Sequence, residues 1–359
     1  INALPSGGVL CLRGGEYAQS VGGLSNSATS WSGRKLVRPY GDGAAIIRGG
    51  MYLSGSAARY IEFDGGPSRH IQWLGSYTSD NIKLTSSGTS RETAAHHIRV
   101  RNCVIANGAR QGIQTTDFAE YNEFIGNDIY GGGQNRFDHA FYVATSRNLI
   151  EGNLIHHWSG YGITIYNGYE ETNPAQLSSL NIVRNNLIYN NGTTPDSNAN
   201  NVAGVGISSG DGNEVYNNII FNNNGIGVQV EGCYGAPCGY NQKVFNNTIY
   251  GNTGDGVQHL ARAINPVMVN NISYANGGAG QLSASTNITS NPLFVNSSPS
   301  QAAHFALQAG SPALGVGQQI TALIGFTASG SPIYAPLSTD YFGTARPSSG
   351  GIDIGALER

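Results

Sequence analysis

Seven asparagines recur along the chain, each just ahead of an Ile or Val step: Asn102, Asn127, Asn153, Asn186, Asn218, Asn247 and Asn271. Their successive separations are 25, 26, 33, 32, 29 and 24 residues. A unit of this length cannot bury an apolar face by itself, but units stacked on one another form a solenoid. Asparagine tolerates the left-handed backbone of a sharp turn, and its amide can hydrogen-bond from coil to coil. The seven asparagines are therefore predicted to stack at one mostly buried corner.

The composition fits many short strands joined by tight turns. Of 359 residues, 51 are Gly and only 11% are charged, and no long helical pattern is present. One turn of a parallel β-helix per repeat accounts for both the period and the composition. We predict an all-β, single-domain chain of roughly nine to eleven coils, from about 30 residues per repeat. Residues 1–40 are expected to form the first coil and cap, residues 41–290 the repeat coils, and residues 291–359 a closing segment.

Charge and hydropathy exclude two classes of partner. The net charge is −3, the isoelectric point is near 6.2, and no basic run is present, so nucleic acid is not an expected partner. No apolar stretch approaches the length of a membrane span. A monomer is expected.

Four cysteines are too few for a disulfide scaffold, but two of them bracket a short loop. Cys233 and Cys238 enclose a Gly- and Pro-containing segment that can close as a disulfide, whereas a zinc site would need two further ligands nearby. Cys11 and Cys103 are expected to be separate core thiols. The first residues, INALPSGG, show neither Met nor a signal sequence, so we expect that a leader has been removed or that the chain was trimmed. A secreted or cell-surface protein is predicted.

The repeats, among them RNCVIAN, GNDIYGG and NNLIYNN, resemble those of the right-handed parallel β-helix of polysaccharide lyases, pectinolytic hydrolases and alginate epimerases. The resemblance covers roughly residues 40 to 290, and the tail from Asp340 to Glu358 resembles the closing segment of such proteins. It implies a right-handed solenoid that acts on a polysaccharide. The motifs are specific for architecture and not for chemistry. Ca²⁺ is a candidate cofactor because uronate-active members often use it, although the Asp pattern of pectate lyases is not recognisable here.

One strand of each coil carries Gly or Ala before alternating apolar residues. Alternation of side chains predicts an inward column of Ile82, Ile113, Phe141, Ile163, Ile207, Val228 and Val257. It predicts an outward column of Tyr52, Lys83, Gln114, Tyr142, Thr164, Ser208, Gln229 and Gln258. One step before the inward residue lies a track of Asn81, Gly112, Ala140, Gly162, Gly206, Gly227 and Gly256. This track is expected to leave a shallow floor for a chain-like ligand.

Longer connections flank the same strand on both sides. They occur at residues 167–179 and 231–240 after the strand, and at residues 131–138 and 191–203 before it. A solenoid core needs none of them, so walls on both sides of one face predict a groove.

Lyases of this fold need a base, a cation beside the substrate carboxylate and an acid for the leaving group. The catalytic candidates near the predicted groove are His139, Tyr142, Arg110 and Lys83. Arg110 suits a carboxylate, His139 or Tyr142 suits a base or acid, and Lys83 is a rival base. The substrate-binding candidates are Gln114, Asp138, Tyr161, Tyr166, Gln229 and Glu231. Plain alternatives are a solvated Lys83 and a surface ion pair between Arg110 and Asp138.

Three function classes follow from these residues. The first is a lyase that cleaves a uronate-containing polysaccharide by β-elimination, or an epimerase with the same proton abstraction. The second is a glycoside hydrolase, which needs two carboxyl groups roughly 5 to 9.5 Å apart; only loop carboxylates such as Glu170, Glu171 or Asp211 offer such a pair. The third is a noncatalytic surface protein that binds polysaccharide through tyrosines. His156 and His157 are expected to be ordinary turn residues, because metal binding there would need further ligands.

Overall fold

The computed structural model describes residues 1–75, 79–167, 178–232, 239–283 and 285–359. Almost every regular element in these residues is a short β-strand, and the strands form three long parallel sheets along a solenoid. The helical elements in this part of the chain are three 3₁₀ turns, at Trp31–Gly33, Arg91–Thr93 and Ala302–Phe305. The predicted all-β, right-handed parallel β-helix is confirmed.

The chain passes through sheets A, B and C in turn. Sheets A and B have ten strands each and sheet C has nine, which gives ten coils among the described residues. Sheet A contains Val9–Leu12, Lys35–Pro39, Arg59–Asp64, His96–Arg101, Glu123–Ile125, Leu149–Glu151, Ile182–Arg184, Glu214–Tyr216, Lys243–Phe245 and Val267–Val269. Sheet B contains Gly15–Tyr17, Ala45–Ile47, Ile71–Leu74, Val104–Ala106, Asp128–Tyr130, Leu154–His156, Leu187–Tyr189, Ile219–Phe221, Thr248–Tyr250 and Ile272–Tyr274. Sheet C contains Met51–Leu53, Ile82–Leu84, Ile113–Thr115, Phe141–Val143, Ile163–Ile165, Ala203–Ile207, Ile226–Val230, Asp255–His259 and Gly278–Gly280.

Two smaller sheets complete the described structure. Three two-residue strands, Gly210–Asp211, Gly239–Tyr240 and Ala263–Ile264, pair in parallel where later coils pass from sheet C to sheet A. Near the carboxyl end, Thr321–Phe326 and Pro332–Pro336 form an antiparallel hairpin.

An asparagine ladder holds the corner between sheets A and B. It runs through Asn127, Asn153, Asn186, Asn218, Asn247, Asn271 and Asn287. Each Nδ2 donates to the Oδ1 of the next coil at 2.9 to 3.1 Å. All seven side chains are buried, which confirms the prediction for the first six; Asn287 was not predicted. Asn102 is the exception, since Cys103 occupies the ladder register and its N–H donates to Asn127 Oδ1 at 3.0 Å.

The left-handed residue of this corner precedes the ladder residue. Asn102, Asn185, Asn217, Asn246 and Asn270 have φ between 50° and 57°, whereas none of the ladder asparagines has a positive φ. The predicted place of Asn102 is therefore wrong by one residue. Two further ladders were not predicted: Asn122, Asn148, Asn181 and Asn213 stack between sheets C and A, and Asn191, Asn223, Asn252 and Asn276 stack between sheets B and C.

The C-terminal segment folds back over the outside of two sheets. Phe294, Phe305 and Leu307 pack on the outer face of sheet B, around Ile219 and Phe221. Ala322, Leu323 and Leu337 pack on the outer face of sheet A, around Ile182, Tyr216 and Phe245. These apolar contacts fall on sheets A and B, so sheet C is the face that the described tail leaves open.

The described cysteines behave differently from one another. Cys103 is a buried free thiol, and desolvation raises its pKa, as expected for a core residue. Cys11 is free but exposed, so its predicted place in the core is wrong. The predicted Cys233–Cys238 disulfide lies outside the described residues. Within those residues, no helix is both long and apolar enough to cross a bilayer.

Candidate functional site

The outward column of sheet C is set by its parallel register. It runs through Tyr52, Lys83, Gln114, Tyr142, Thr164, Gly206, Gln229 and Gln258. Gly206 takes the position assigned from the sequence to Ser208, and Val205 takes the inward position assigned to Ile207. Those two assignments were wrong because the strand Ala203–Ile207 enters the sheet two residues earlier than its neighbours suggested. Ile207 still points inward and is fully buried.

The Gly/Ala track is not a groove floor. A Cβ at Gly162 would lie 2.7 Å from Ile188 Cγ2, and one at Gly227 would lie 2.3 Å from Ile249 Cγ2. Each of these added Cβ atoms would also lie 3.2 Å from a ladder amide nitrogen of the corner between sheets B and C. These glycines therefore allow close approach inside the solenoid, and the predicted shallow floor is wrong.

Tyr161 covers the middle of the outward column. Its ring lies over Gly206, where an added Cβ would come within 2.8 Å of Tyr161 Cε1, and its hydroxyl lies 3.2 Å from Gln229 Oε1. Thr164 and Gln229 are each only 6% exposed as a result. The accessible part of the column is thus at Tyr52, Lys83, Gln114 and Tyr142, together with Gln258 at the far end.

His139 lies beneath this surface as a buried, neutral imidazole. Its Nδ1 accepts a hydrogen bond from the Tyr161 N–H at 3.1 Å, so the remaining proton belongs on Nε2. Its own backbone N–H donates to Gln111 Oε1. The ring packs against Tyr142 at 5.9 Å and Tyr161 at 5.0 Å between centroids. In this tautomer His139 can donate through Nε2, while the Nδ1 lone pair that a base needs is already used.

Lys83 and Arg110 bring positive charge to the open face. Neither has an ion-pair partner within the described residues, whereas Arg99, Arg101 and Arg184 on sheet A are paired with carboxylates. Asp80 lies near both, and its carboxylate accepts the Gln111 N–H at 3.1 Å. Burial raises the pKa of Asp80, a shift that Arg110 and Lys83 partly oppose. Asp80 was not identified from the sequence.

Asp138 holds a loop and is not paired with Arg110. Its Oδ2 accepts hydrogen bonds from the Gln134 N–H at 2.9 Å, the Asn135 N–H at 3.2 Å and the Asn135 amide at 2.9 Å. This turn presents Phe137, which is 65% exposed, with the Arg136 guanidinium 4.7 Å from its ring centroid. Phe137 and Arg136 border the open face and were missed. The available signal in the sequence was an aromatic residue, Phe137, inside a predicted groove wall.

The substrate-binding candidates Tyr166 and Glu231 lie past the carboxyl ends of the sheet C strands. Backbone pairing continues from Tyr166 through Ser208 to Glu231. Glu231 is 5% exposed and forms an ion pair with Arg262, while the Ser208 hydroxyl lies 3.4 Å from its Oε2. Arg262 was not identified from the sequence. This second polar cluster is separated from Lys83 by the Tyr161 ring.

The described residues contain no group of three His, Cys, Asp or Glu side chains that could hold a metal ion. Lys83 and Arg110 lie close enough to Asp80 to oppose the rise of its pKa, and Asp138 Oδ2 already accepts three hydrogen bonds from its own loop. The donor set in this part of the chain therefore does not fit Ca²⁺, which prefers six to eight oxygen ligands. His156 and His157 lie on the outer side of sheet B, where His156 Nε2 contacts Asp128 at 3.1 Å.

The chain is thus a parallel β-helix protein, built from repeated coils, in which the polar face of sheet C is open. The family described as right handed beta helix region matches residues 50–193 and 139–311, and the chain belongs to this family. No curated protein sequence matches it.

Solved structures share the fold at low identity. Pectate lyase Pel9A superposes with a TM-score of 0.60 at 16% identity, over 99% of this chain and 89% of that chain. An alginate lyase from Paenibacillus sp. str. FPU-7 gives 0.54 at 18% identity, over 81% of this chain and 93% of its own. XylC, solved in complex with xylose, gives 0.54 at 11% identity, over 91% and 67%. Likeness at these identities establishes the shared architecture alone.

The buried state of His139 predicts how stability depends on pH. Burial lowers its pKa to about 3, whereas an unfolded chain has a histidine pKa of about 6.5. Between these values the unfolded chain binds more protons, so this contribution to stability is complete above about pH 6.5 and is lost as the pH falls toward 3. In His139→Asn, whose Oδ1 can accept the Tyr161 N–H, the loss of stability between neutral and mildly acid pH should be smaller. Urea denaturation midpoints across that range measure it, and an unchanged pH dependence would contradict a neutral, buried His139.

Proposed function

We propose that this protein is a polysaccharide lyase that cleaves a uronate-containing polysaccharide by β-elimination on the open face of sheet C. The observation that carries the proposal is the pair of cations, Lys83 and Arg110, without acidic partners among the described residues. Lys83 lies beside Gln114 in sheet C, and Arg110 precedes the strand Ile113–Thr115 of the same sheet. An anionic sugar supplies the carboxylate that neither cation has within ion-pair distance among the described residues. Two structurally similar proteins are lyases of pectate and of alginate by name, which supports the same class.

In this proposal Arg110 binds the uronate carboxylate and stabilises the charge that develops when the neighbouring C–H is deprotonated. Lys83 and Tyr142 supply the base and the acid, since they flank Gln114 in the outward column at successive coils. One group removes the proton from the carbon next to the carboxylate. The other donates a proton to the glycosidic oxygen as the C–O bond breaks, and a carbon–carbon double bond forms in the product.

His139 has a positioning role in this arrangement. Its Nδ1 fixes the backbone of Tyr161, and its ring supports Tyr142 from below. Tyr161, Phe137 and the Gln114 amide then provide apolar and hydrogen-bonding contacts to sugar rings. Asp138 contributes by holding the loop that carries Phe137.

Hydrolysis has less support in the described residues. Asp138 Oδ2 accepts three hydrogen bonds from its own loop, and Glu231 is paired with Arg262. Asp80 accepts the Gln111 N–H. Each of these carboxylates thus already has a structural partner. A polymeric substrate also implies that the protein works outside the cell or at its surface. Secretion therefore forms part of the proposal.

A substrate panel tests the reaction class. The protein is incubated with alginate, polygalacturonate and hyaluronan, with added CaCl₂ or with EDTA, and ultraviolet absorbance and reducing ends are recorded together. We expect one substrate to give both signals in parallel, because β-elimination creates one unsaturated uronate for each new reducing end. Reducing ends without absorbance would show hydrolysis. Retention on a polysaccharide gel without either signal would show a binding protein, and both outcomes contradict the lyase proposal.

A further inference from the structure

A second cleft lies on the outer side of sheet A, on a different face from Lys83 and Tyr142. It encloses about 470 Å³, within the size range of small-ligand pockets. Tyr60, His97 and Tyr121 form its floor. One wall is the 3₁₀ turn that carries Trp31, and the other is the hairpin tip that carries Phe326. Neither wall belongs to the repeat, so the cleft is an addition to the solenoid.

The floor is a stack of aromatic rings from three successive coils. The Tyr60 and His97 ring centroids are 4.5 Å apart, and those of His97 and Tyr121 are 5.1 Å apart. Trp31 meets Tyr60 edge-on at 5.7 Å, and Phe326 meets Tyr121 edge-on at 5.5 Å. The five rings thus make one continuous aromatic surface between the Trp31 turn and the tail hairpin.

The backbone under these rings is strained. Tyr60, His97 and Tyr121 have φ of 53°, 55° and 58°, a left-handed conformation that is unfavourable for bulky side chains. At the same corner, later coils place Arg147, Leu180, Gly212, Asn241 and Asn265 in the left-handed conformation. The corner therefore does not need aromatic residues. What distinguishes Tyr60, His97 and Tyr121 from the other residues of this corner is that their rings stack on one another.

The chemistry of the cleft suits an uncharged sugar. The hydroxyls of Tyr60 and Tyr121 and the indole N–H of Trp31 make no hydrogen bond to any residue that the structure describes. The charged lining groups already have partners: Glu123 pairs with Arg99 at 2.7 Å. Arg147 shares Glu120 with Arg91, at 3.2 and 2.6 Å. Burial lowers the pKa of His97 to about 4, so its ring is neutral at neutral pH. Sugar C–H faces pack on such rings, and sugar hydroxyls pair with unused donors.

We propose that Tyr60, His97, Tyr121 and Trp31 form a second carbohydrate site, selective for uncharged sugar units and separate from the cationic face of sheet C. Such a site holds a neutral stretch or branch of a polysaccharide while the charged part lies elsewhere. The site is independent of the reaction proposed for sheet C, since it shares no residue with that face.

Tryptophan fluorescence reports on this cleft directly. Trp73 and Trp158 are 1% and 0% exposed, so Trp31 is the tryptophan that a ligand can reach. Cellohexaose, xylohexaose and mannohexaose serve as neutral probes, and hexagalacturonate serves as the anionic comparison. We expect at least one neutral hexamer to change the emission, equally in the parent and in Lys83→Ala. If Lys83→Ala loses activity but still binds a neutral hexamer at the cleft, the cleft site is supported independently of the lyase proposal.

Asparagine substitutions separate binding from folding. Tyr60→Asn with His97→Asn places in the left-handed positions the residue that the same corner uses at Asn241, and should weaken binding at least about tenfold. The thermal midpoint should stay the same or rise. Leu180→Asn, in the same column but outside the cleft lining, should leave binding unchanged. Tyr60→Phe removes only one hydroxyl and should weaken binding without any effect on folding.

Four results would overturn the proposal. They are no emission change with any neutral hexamer, undiminished binding in the double variant, and hexagalacturonate binding at the cleft as tightly as the neutral probes. The fourth is a parent dimer, by light scattering, that the double variant dissociates, since the cleft would then be covered by a second copy of the chain.

Discussion

Replacing Lys83 or Arg110 by alanine should lower the turnover of the cleaved uronate polysaccharide by about 10²-fold or more, the scale expected for losing a charge-stabilising or acid–base group. Neither cation is held by an acidic partner among the described residues, so its removal takes away charge that no neighbour replaces. Tyr142→Phe should lower turnover to a similar extent, because it removes the hydroxyl that the proposed acid–base step uses. Initial rates of ultraviolet absorbance, with kcat and KM determined separately, measure the change.

Two matched variants control for general effects of the substitutions. Arg38→Ala removes an exposed cation from sheet A, and Tyr130→Phe removes a hydroxyl from the outer side of sheet B. Both should keep parent turnover. Full activity in Lys83→Ala and in Arg110→Ala would place the chemistry elsewhere. The Glu231–Arg262 pair, and Glu170 and Glu171 outside the described residues, are the next candidates.

His139→Ala would be a poor test of the chemistry. The imidazole is 6% exposed and accepts the Tyr161 N–H, so alanine leaves a cavity and a buried donor without a partner. Loss of stability would accompany any loss of turnover. His139→Asn keeps an acceptor near the same place and is the variant in which a reduced kcat can be attributed to the position of Tyr142.

Asn218→Leu should reduce the free energy of unfolding by about 2–4 kcal/mol, because several buried groups lose hydrogen bonds together. Asn218 Oδ1 accepts from both the backbone and the side chain of Asn186, at 3.0 and 2.9 Å. Its Nδ2 donates to Val183 O at 2.9 Å and to Asn247 Oδ1 at 3.0 Å. Leucine satisfies none of these groups, and Asn218 is completely buried. Urea denaturation followed by circular dichroism measures the loss.

The neighbouring corner provides the control. Asn222 is exposed and left-handed, with φ of 53°, and it is not part of a ladder. Asn222→Gly should change stability by no more than about 0.5 kcal/mol, because glycine adopts this conformation without strain. Equal losses in the two variants would show that the ladder bonds contribute nothing beyond turn geometry.

Much of the fold was accessible from the sequence because its signals are local. The period of the asparagines predicted stacked coils, and alternation within short strands predicted the inward residues of sheet C, although Ile207 lies two residues beyond its predicted register position. The errors occurred where one-dimensional spacing leaves register open. At Asn102 and at Ser208, shifts of one or two residues exchanged the roles of neighbouring positions. In a β-helix such a shift is decided by the coils above and below.

The candidate site was predicted less completely. Sequence alternation placed Lys83, Gln114 and Tyr142 together on one face, and the parallel register does so. Alternation could not show that the Tyr161 hydroxyl would bond to Gln229, 68 residues further along the chain. Nor could it show that Asp138 would accept hydrogen bonds from its own loop. Asp80 and Phe137 were missed because their importance depends on which loops meet at the groove edge.

By itself, the sequence determined a solenoid, its approximate number of coils and the strand that carries Lys83, since period and alternation are properties of the chain. Only the tertiary structure decided which asparagine of each corner stacks, which sheet stays open and where the aromatic rings of sheet A meet. Those outcomes depend on contacts between residues far apart in the chain. The tail after residue 291 covers sheets A and B because its apolar residues match theirs, and that pairing leaves the cationic face of sheet C exposed to solvent.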